Sequence, residues 1–200
     1  MTASQLETQN INKLLDLVNS CALLSLKHVL HCNEDEVESK LLDLTEDLTY
    51  DHWICCIVVS FKELSITFSV HFSSKAARYF TSAGTGKPID TLDPKTSHDF
   101  MREYCNMTAG AIKDKLLKCD FESQDVRAVM LPVQKPSFDI GSHEGKVSGW
   151  LSNWRLSFNQ QASLICSGKI DSENAGKIKN IEKLDDPAIM IDDSGDVEFF

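Results

Sequence analysis

The hydrophobic positions of this 200-residue chain recur at helical spacing in two long stretches. Steps of three and four residues place such positions on one side of a helix. In residues 10–31 the stripe consists of Ile11, Leu15, Val18, Ala22, Leu26 and Val29. In residues 99–116, at about 100° per residue, it consists of Met101, Cys105, Thr108, Ile112 and Leu116. Two long amphipathic helices are therefore predicted, and the cap candidates in "TSHD" place the start of the second near Asp99.

The shorter segments are dominated by β-branched and aromatic residues, which favours strands. The strand candidates are "ESKLLDLT", "WICCIVVSF", "LSITFSVHF", "VRAVMLPV", "KVSGWLSNWRLSF" and "ASLICSGKI". A tight connection at Lys62 and Glu63 joins the second and third candidates, which predicts a hairpin. The segment "SSKAARYFTSA" predicts a short helix capped by Ser73 or Ser74. The order helix, hairpin, helix, helix, strands indicates the α+β class.

The composition is that of a soluble globular chain with enough hydrophobic residues for a core, at 42% hydrophobic and 25% charged. The net charge is -10, and no region clusters lysine and arginine, so nucleic acid is not an expected partner. The N-terminus "MTASQLETQN" lacks the layout of a signal peptide. The apolar run "WICCIVV" is far shorter than the roughly 20 residues that span a bilayer. We therefore expect a cytoplasmic protein with no membrane partner.

The negative charge is concentrated at the C-terminal end. Residues 171–200 contain nine acidic residues and three lysines, so -6 of the net charge of -10 lies there. The expected organisation is one domain over residues 1–170, followed by an acidic extension over residues 171–200. The hydrophobic residues in "AIMIDDSGDVEFF" leave three interpretations open: a solvated tail, a last edge strand, or a docking peptide.

The seven cysteines and six histidines show no spacing typical of a metal or redox site. Cys55 and Cys56 are neighbours on a predicted strand and point to opposite faces, so reduced thiols packed in the core are expected. His28 and His31 end the first helix, where the helix dipole favours a cation, and capping is expected there rather than metal binding. No metal site is predicted.

The polar side of the second long helix has an unusual composition: Asp99, Glu103, Asn106, Gly110 and Lys113 fall within a narrow arc. The amide of Asn106 can hold a water molecule, and the neighbouring carboxylate of Glu103 can bind a partner's cation. A glycine here costs about 1 kcal/mol relative to alanine, which indicates that something approaches the helix closely at Gly110. Because no nucleophile or metal-ligand set accompanies them, these residues suit a site that another protein completes with a phosphate and a metal ion.

The pattern D-x-x-x-E-x-x-N-x-x-x-G-x-x-K formed by these five residues resembles the signature helix of the CheC/CheX/FliY chemotaxis phosphatases. The order of "FSVHFSSKAARYF", this helix and "VMLPVQKPSFDIG" is similar to the order of blocks in CheX. The clear resemblance covers residues 64–141, and a looser one covers residues 10–170. The fold that the resemblance implies is an antiparallel or mixed sheet packed against two long helices.

The resemblance also implies an enzyme that hydrolyses the aspartyl phosphate of a CheY-type response regulator receiver. Glu103 would pair with the receiver's lysine and Asn106 would orient the attacking water, which makes these two the implied catalytic residues. Gly110 would provide clearance, and Asp99 and Lys113 would support the contact with the partner. Mg2+ would be held by the receiver, with no cofactor of the chain's own. A homodimer formed through sheet edges is implied as well.

CheC-like members of the family carry a second copy of the motif on a related helix. Here the first helix repeats the spacing with Asn12, Asp16, Asn19, Leu23 and Leu26, so two leucines stand where the glycine and the lysine would be. One working helix is therefore expected, as in CheX. Two further interpretations stay open: a CheX-like adaptor that has lost catalysis, and an unrelated α+β interaction protein with a chance match.

Overall fold

A computed structural model describes residues 3–43, 53–62, 64–119, 121, 126–135, 150–172 and 181–186. The helices and strands are α1 (Ala3–Leu30), β1 (Val37–Leu42), β2 (Trp53–Ser60), β3 (Ser65–Phe72), α2 (Ser74–Thr85), α3 (Pro94–Lys118), β4 (Arg127–Met130), β5 (Trp150–Phe158) and β6 (Ala162–Asp171). Short 3-10 turns lie at Glu34–Glu36, Ile89–Thr91 and Ile181–Asp185. Each predicted helix and strand has a counterpart in the structure, and the α+β class is confirmed. Residues 44–45 and 146–149 of the predicted strands lie outside the described residues.

The six-stranded sheet has the order β1-β5-β6-β3-β2-β4, and every pair of neighbouring strands is antiparallel. The first half of the chain contributes α1, the edge strand β1 and the hairpin β2–β3. The second half contributes α3, the edge strand β4 and the hairpin β5–β6. Each edge strand pairs with the hairpin of the other half, while β3 and β6 meet at the centre. The topology therefore has pseudo-twofold symmetry, with α2 between the halves.

Both long helices pack on the same face of the sheet. Tyr104 of α3 contacts Phe68 edge to face, with ring centroids 6.0 Å apart. A Cβ at Gly168 would lie 3.2 Å from Cγ1 of Val18 in α1. Phe68 and Gly168 are register partners and so point to the same side. The largest side chains buried in the core are Trp154, Tyr104, Phe68, Phe72 and Phe80.

The hydrophobic stripe predicted for α1 faces this core. Ile11, Val18, Ala22 and Leu26 are buried, and Leu15 is half-buried. Burial along β2 has a period of two, because every second residue of this strand is buried beneath α3. The buried stripes of the helices and the buried face of the sheet thus pack against each other in one core.

The predicted start of α3, near Asp99, is wrong by more than one helical turn. The helix begins at Pro94, and Asp93 is its N-cap, because the Asp93 carboxylate accepts a hydrogen bond of 2.6 Å from the backbone N–H of Thr96. That bond lowers the pKa of Asp93. Proline is favoured at the first helical position, since its missing N–H has no partner to lose there. Asp99 consequently lies in the second turn.

All seven cysteines are free thiols, as predicted. Cys55 is buried toward the helices, while Cys56 is half-buried on the opposite face of β2. Burial raises the pKa of the Cys105 thiol, and it raises that of Cys166 to about 12. Thiols that resist ionisation in this way are poor nucleophiles, which agrees with a packing role.

Part of the acidic extension packs against the domain. Ile181 and Leu184 of the last 3-10 turn are buried in the core, and Asp185 forms an ion pair with Lys13 of α1. The segment "AIMIDDSGDVEFF" lies outside the described residues, so its three interpretations stay open. The boundary at residue 170 and the homodimer through sheet edges also stay predictions. None of the described helices is both long enough and apolar enough to cross a membrane.

Candidate functional site

The five residues of the motif lie in a line along the exposed side of α3. We call Asp99, Glu103, Asn106, Gly110 and Lys113 the α3 ridge, and all five are exposed. The opposite side of the helix is buried, as the predicted stripe requires, through Met101, Cys105, Thr108, Ile112 and Leu116. The structure thus brings every predicted site residue onto one continuous surface.

Buried contacts beneath the ridge hold α3 in a defined rotation about its axis. The hydroxyl of Tyr104 donates a hydrogen bond of 3.0 Å to the carbonyl oxygen of Ala22 in α1. The hydroxyl of Thr108 donates one of 2.9 Å to the carbonyl oxygen of Tyr104 within α3 itself, which pairs this buried hydroxyl but does not restrain the rotation of the helix. A rotation of α3 would break the bond to α1 inside the core, where an unpaired polar group is costly. The direction in which the ridge faces is therefore set by the core.

Glu103 and Asn106 present their polar groups outward. In the described part of the chain, neither side chain takes part in a hydrogen bond or an ion pair. The two residues are three positions apart, so their side chains are neighbours on the helix surface. An acceptor-only carboxylate thus stands beside an amide that can both donate and accept. This pair is free to bind a cation and a water molecule brought from outside.

Gly110 is not required by the fold of the chain itself. A Cβ built on Gly110 would have no heavy atom within 4 Å, whereas one on Gly84 would lie 2.5 Å from the carbonyl oxygen of Val29. Gly84 is thus needed for helix packing. At Gly110, alanine would fit and would stabilise the helix by about 1 kcal/mol. The open surface at Gly110 is consistent with clearance for a molecule outside this chain.

Sequence reasoning missed Arg102, which lies beside the ridge. Its Nη1 atom is 3.5 Å from Oδ1 of Asp99. An acid and a base three residues apart on a predicted helix are a signal that could have revealed the pair. Asp99 is therefore already paired within the chain, unlike Glu103.

A second missed feature is the aromatic cluster at the start of α3. The rings of His98 and Trp53 are 4.7 Å apart, and Nζ of Lys135 lies 5.6 Å from the centre of the Trp53 ring. The indole N–H of Trp53 donates to Oγ of Ser74 at 3.1 Å. Burial lowers the pKa of His98, and the nearby Asp99 opposes that shift. No sequence signal could have found this cluster, because its members lie far apart along the chain.

The corresponding line of residues on α1 is not an equivalent surface. Asn12 and Asp16 are exposed, but Oδ1 of Asn19 accepts a hydrogen bond of 3.0 Å from the hydroxyl of Ser39 in β1. Leu23 is half-buried and Leu26 is fully buried. On α1, therefore, only the first two residues of this line are exposed, and its last residue is buried in the core. Among the described residues, no group of three or more histidine, cysteine, aspartate or glutamate side chains could hold a metal ion.

Comparison with solved structures identifies the fold. A CheC-like superfamily protein from Shewanella sp. PV-4 is 14% identical with a TM-score of 0.57, over 80% of this chain and 98% of that one. The chemotaxis protein CheX from Vibrio vulnificus is 14% identical with a TM-score of 0.57, over 82% and 99% of the two chains. The CheX–CheY–BeF3–Mg2+ complex from Borrelia burgdorferi gives 14% identity and a TM-score of 0.52, over 81% and 97%.

The chain therefore has the fold of the CheC- and CheX-like chemotaxis proteins, as the resemblance of the α3 motif implied. No model of a known protein family matches the sequence, and a search of curated proteins finds no match. The roles of the α3 ridge residues stay predictions.

Proposed function

We propose that the protein is a phosphatase that removes the phosphoryl group from the aspartyl phosphate of a CheY-type response regulator receiver. The observation that carries the proposal is the α3 ridge, where Glu103 and Asn106 stand exposed side by side above a helix that the core holds in place. The CheX-like fold and the existence of a CheX–CheY complex in Borrelia burgdorferi support this proposal.

In the proposed reaction, a water molecule attacks phosphorus while the bond between phosphorus and the aspartyl oxygen breaks. The products are inorganic phosphate and a free aspartate carboxylate on the receiver, and the proton lost by the water ends on phosphate or in solvent. Asn106 would hold the attacking water, since its amide oxygen accepts a hydrogen bond and its N–H group donates one. Positioning of this kind, together with electrostatic stabilisation, is the main protein contribution to phosphoryl transfer.

Glu103 would anchor the complex by pairing with a cation of the receiver, and Gly110 would let the receiver surface approach the helix. Lys113 and Asp99 would extend the contact at either end of the α3 ridge. Mg2+ would be held by the receiver and would neutralise the charge that develops on the phosphoryl oxygens. The chain itself would contribute no cofactor.

The decisive variant is Asn106→Ala, tested on receivers phosphorylated with acetyl phosphate in the presence of Mg2+. We expect the wild-type protein to accelerate phosphate release and Asn106→Ala to abolish the acceleration, because nothing then holds the water. Asn12→Ala, the same change at an exposed position on α1, is the matched control and should keep full activity. Circular dichroism and thermal melting would show that both variants fold.

Glu103→Gln separates anchoring from catalysis, since it should raise KM for the receiver more than it lowers kcat. A wild-type protein that leaves the lifetime of every receiver encoded in the same genome unchanged would contradict the phosphatase. If that protein nevertheless bound a phosphorylated receiver, the adaptor interpretation would replace it.

A further inference from the structure

Arg102 lies next to the proposed catalytic pair and has no role assigned to it so far. It lies on the flank of the α3 ridge, directly before Glu103 and four residues before Asn106. Residues four apart on a helix are neighbours on its surface. In the free protein the guanidinium is directed toward Asp99, one turn before it, and a change of rotamer would turn it toward the Asn106 amide. Its side chain is 50% exposed, and that of its ion-pair partner Asp99 is 54% exposed. An exposed pair of this kind exchanges partners at little cost.

The charges of the α3 ridge create a problem that Arg102 can solve. Glu103 would pair with a cation of the receiver, and Asp99 is paired with Arg102, so the position of the guanidinium within that pair decides whether the phosphoryl group meets a carboxylate or a cation. Like charges repel more strongly when docking excludes water between them. Lys113 lies seven residues beyond Asn106, which is roughly 10 Å along the helix axis. Arg102 is therefore the cation of α3 that lies close enough to Asn106 to offset the repulsion.

We infer that Arg102 is a further catalytic residue, whose guanidinium leaves Asp99 on docking and binds the non-bridging oxygens of the receiver's phosphoryl group. This inference rests on the proposed phosphatase function. The planar guanidinium can donate two parallel hydrogen bonds to a phosphoryl group, and an arginine supplied by a partner protein stabilises the transition state in other phosphoryl-transfer reactions. Asp99 holds the guanidinium at the α3 ridge before docking, and Asn106 holds the water on the attacking side.

The test compares steady-state phosphate release by the wild-type protein, Arg102→Gln and Arg102→Lys over a range of concentrations of acetyl-phosphate-treated receiver. Arg102→Gln should lower kcat by about 10- to 100-fold, as expected for the loss of hydrogen bonds to a charged group. Arg102→Lys should recover part of the loss, because it keeps the charge without the paired donors. Arg78→Gln removes an exposed arginine of α2 outside the α3 ridge and should have no effect.

A binding measurement shows whether Arg102 contacts the phosphoryl group or the receiver's protein surface. The dissociation constant is measured for the receiver with Mg2+ alone and for the receiver with Mg2+ and BeF3−, a stand-in for the phosphoryl group. The wild-type protein should prefer the BeF3− form, and Arg102→Gln should lose most of that preference.

An unchanged preference for BeF3−, or an effect on KM alone, would overturn the inference while leaving the phosphatase intact. Absence of acceleration by the wild-type protein would instead contradict the phosphatase itself, and the role of Arg102 with it.

Discussion

The two long helices occupy equivalent places in the pseudo-symmetric fold but present different surfaces. α3 exposes five polar or small residues in a line, and Glu103 and Asn106 point outward without a partner in the described part of the chain. On α1, the same spacing leads from two exposed residues to a hydrogen bond between Asn19 and Ser39 and then to the buried Leu26. The fold thus contains two similar lines of residues, and Leu23 and Leu26, which stand where α3 has Gly110 and Lys113, leave only the α3 line fully exposed.

The contrast between Gly110 and Leu23 is the most informative part of this difference. Leu23 packs partly against the core, so it contributes to the stability of the α1 half. A Cβ at position 110 would meet no other atom, so a larger residue would fit there, and glycine lowers the stability of the α3 half because it is a poor helix former. Gly110 weakens its own helix, and no contact within the described chain requires a glycine there. Such a position points to a partner outside the chain.

The largest effect is expected when α3 is given the residue of α1. Gly110→Leu should abolish phosphate release from the receiver, because a large side chain then stands where the receiver must approach. The same change should raise the free energy of unfolding by up to about 1 kcal/mol, since leucine is the better helix former. Activity and thermal melting are measured on the same preparation, with Gly110→Ala as the smaller step.

Gly84→Ala is the control, and it should lower the melting temperature because its Cβ would meet the backbone oxygen of Val29. Full activity of Gly110→Leu would contradict the view that this part of the α3 ridge faces a partner.

A smaller effect, on stability alone, is expected in the α1 half. Ser39→Ala removes the hydrogen bond to Asn19 and should lower the free energy of unfolding by up to about 0.5 kcal/mol, as measured by denaturant titration, because the bond is exposed to water. Phosphate release should stay at the wild-type rate, because this contact belongs to a helix that presents no site. A loss of activity as large as that of the α3 ridge variants would show that both halves take part in function.

The smallest effect concerns pH and the flank of the α3 ridge. Because burial lowers the pKa of His98 below its ordinary value of 6.5, the unfolded chain takes up a proton at a higher pH than the folded chain does. This contribution to stability is therefore fully present above about pH 6.5 and is lost as the pH falls below it.

His98→Phe keeps the ring contacts with Trp53 and Phe72 but removes the titration. The variant should show a slightly smaller drop in melting temperature between pH 7 and pH 5 than the wild-type protein. An identical drop in both proteins would mean that His98 titrates alike in the folded and unfolded chains.

Local patterns were sufficient where a property depends on near neighbours along the chain. The exposure of the α3 ridge followed from the spacing of Met101, Cys105 and Ile112, because a buried stripe leaves the opposite side of a helix in water. The start of α3 is also encoded locally, because Asp93 is a favoured N-cap residue and Pro94 suits the first helical position. The contacts of Trp53 with His98 and Lys135 could not be predicted from the sequence, because each depends on how elements far apart along the chain pack together.

The sequence by itself determined that two amphipathic helices and six strands form, and that one helix carries an acid, an amide and a glycine on its polar side. Helical and strand periods are properties of a few consecutive residues, so no knowledge of packing was needed. Only the tertiary structure decided which of the two similar polar lines stays open. The hydrogen bond between Asn19 and Ser39 and the burial of Leu26 depend on where β1 and the core meet α1. The bond from Tyr104 to Ala22, formed across two helices, holds the α3 ridge outward.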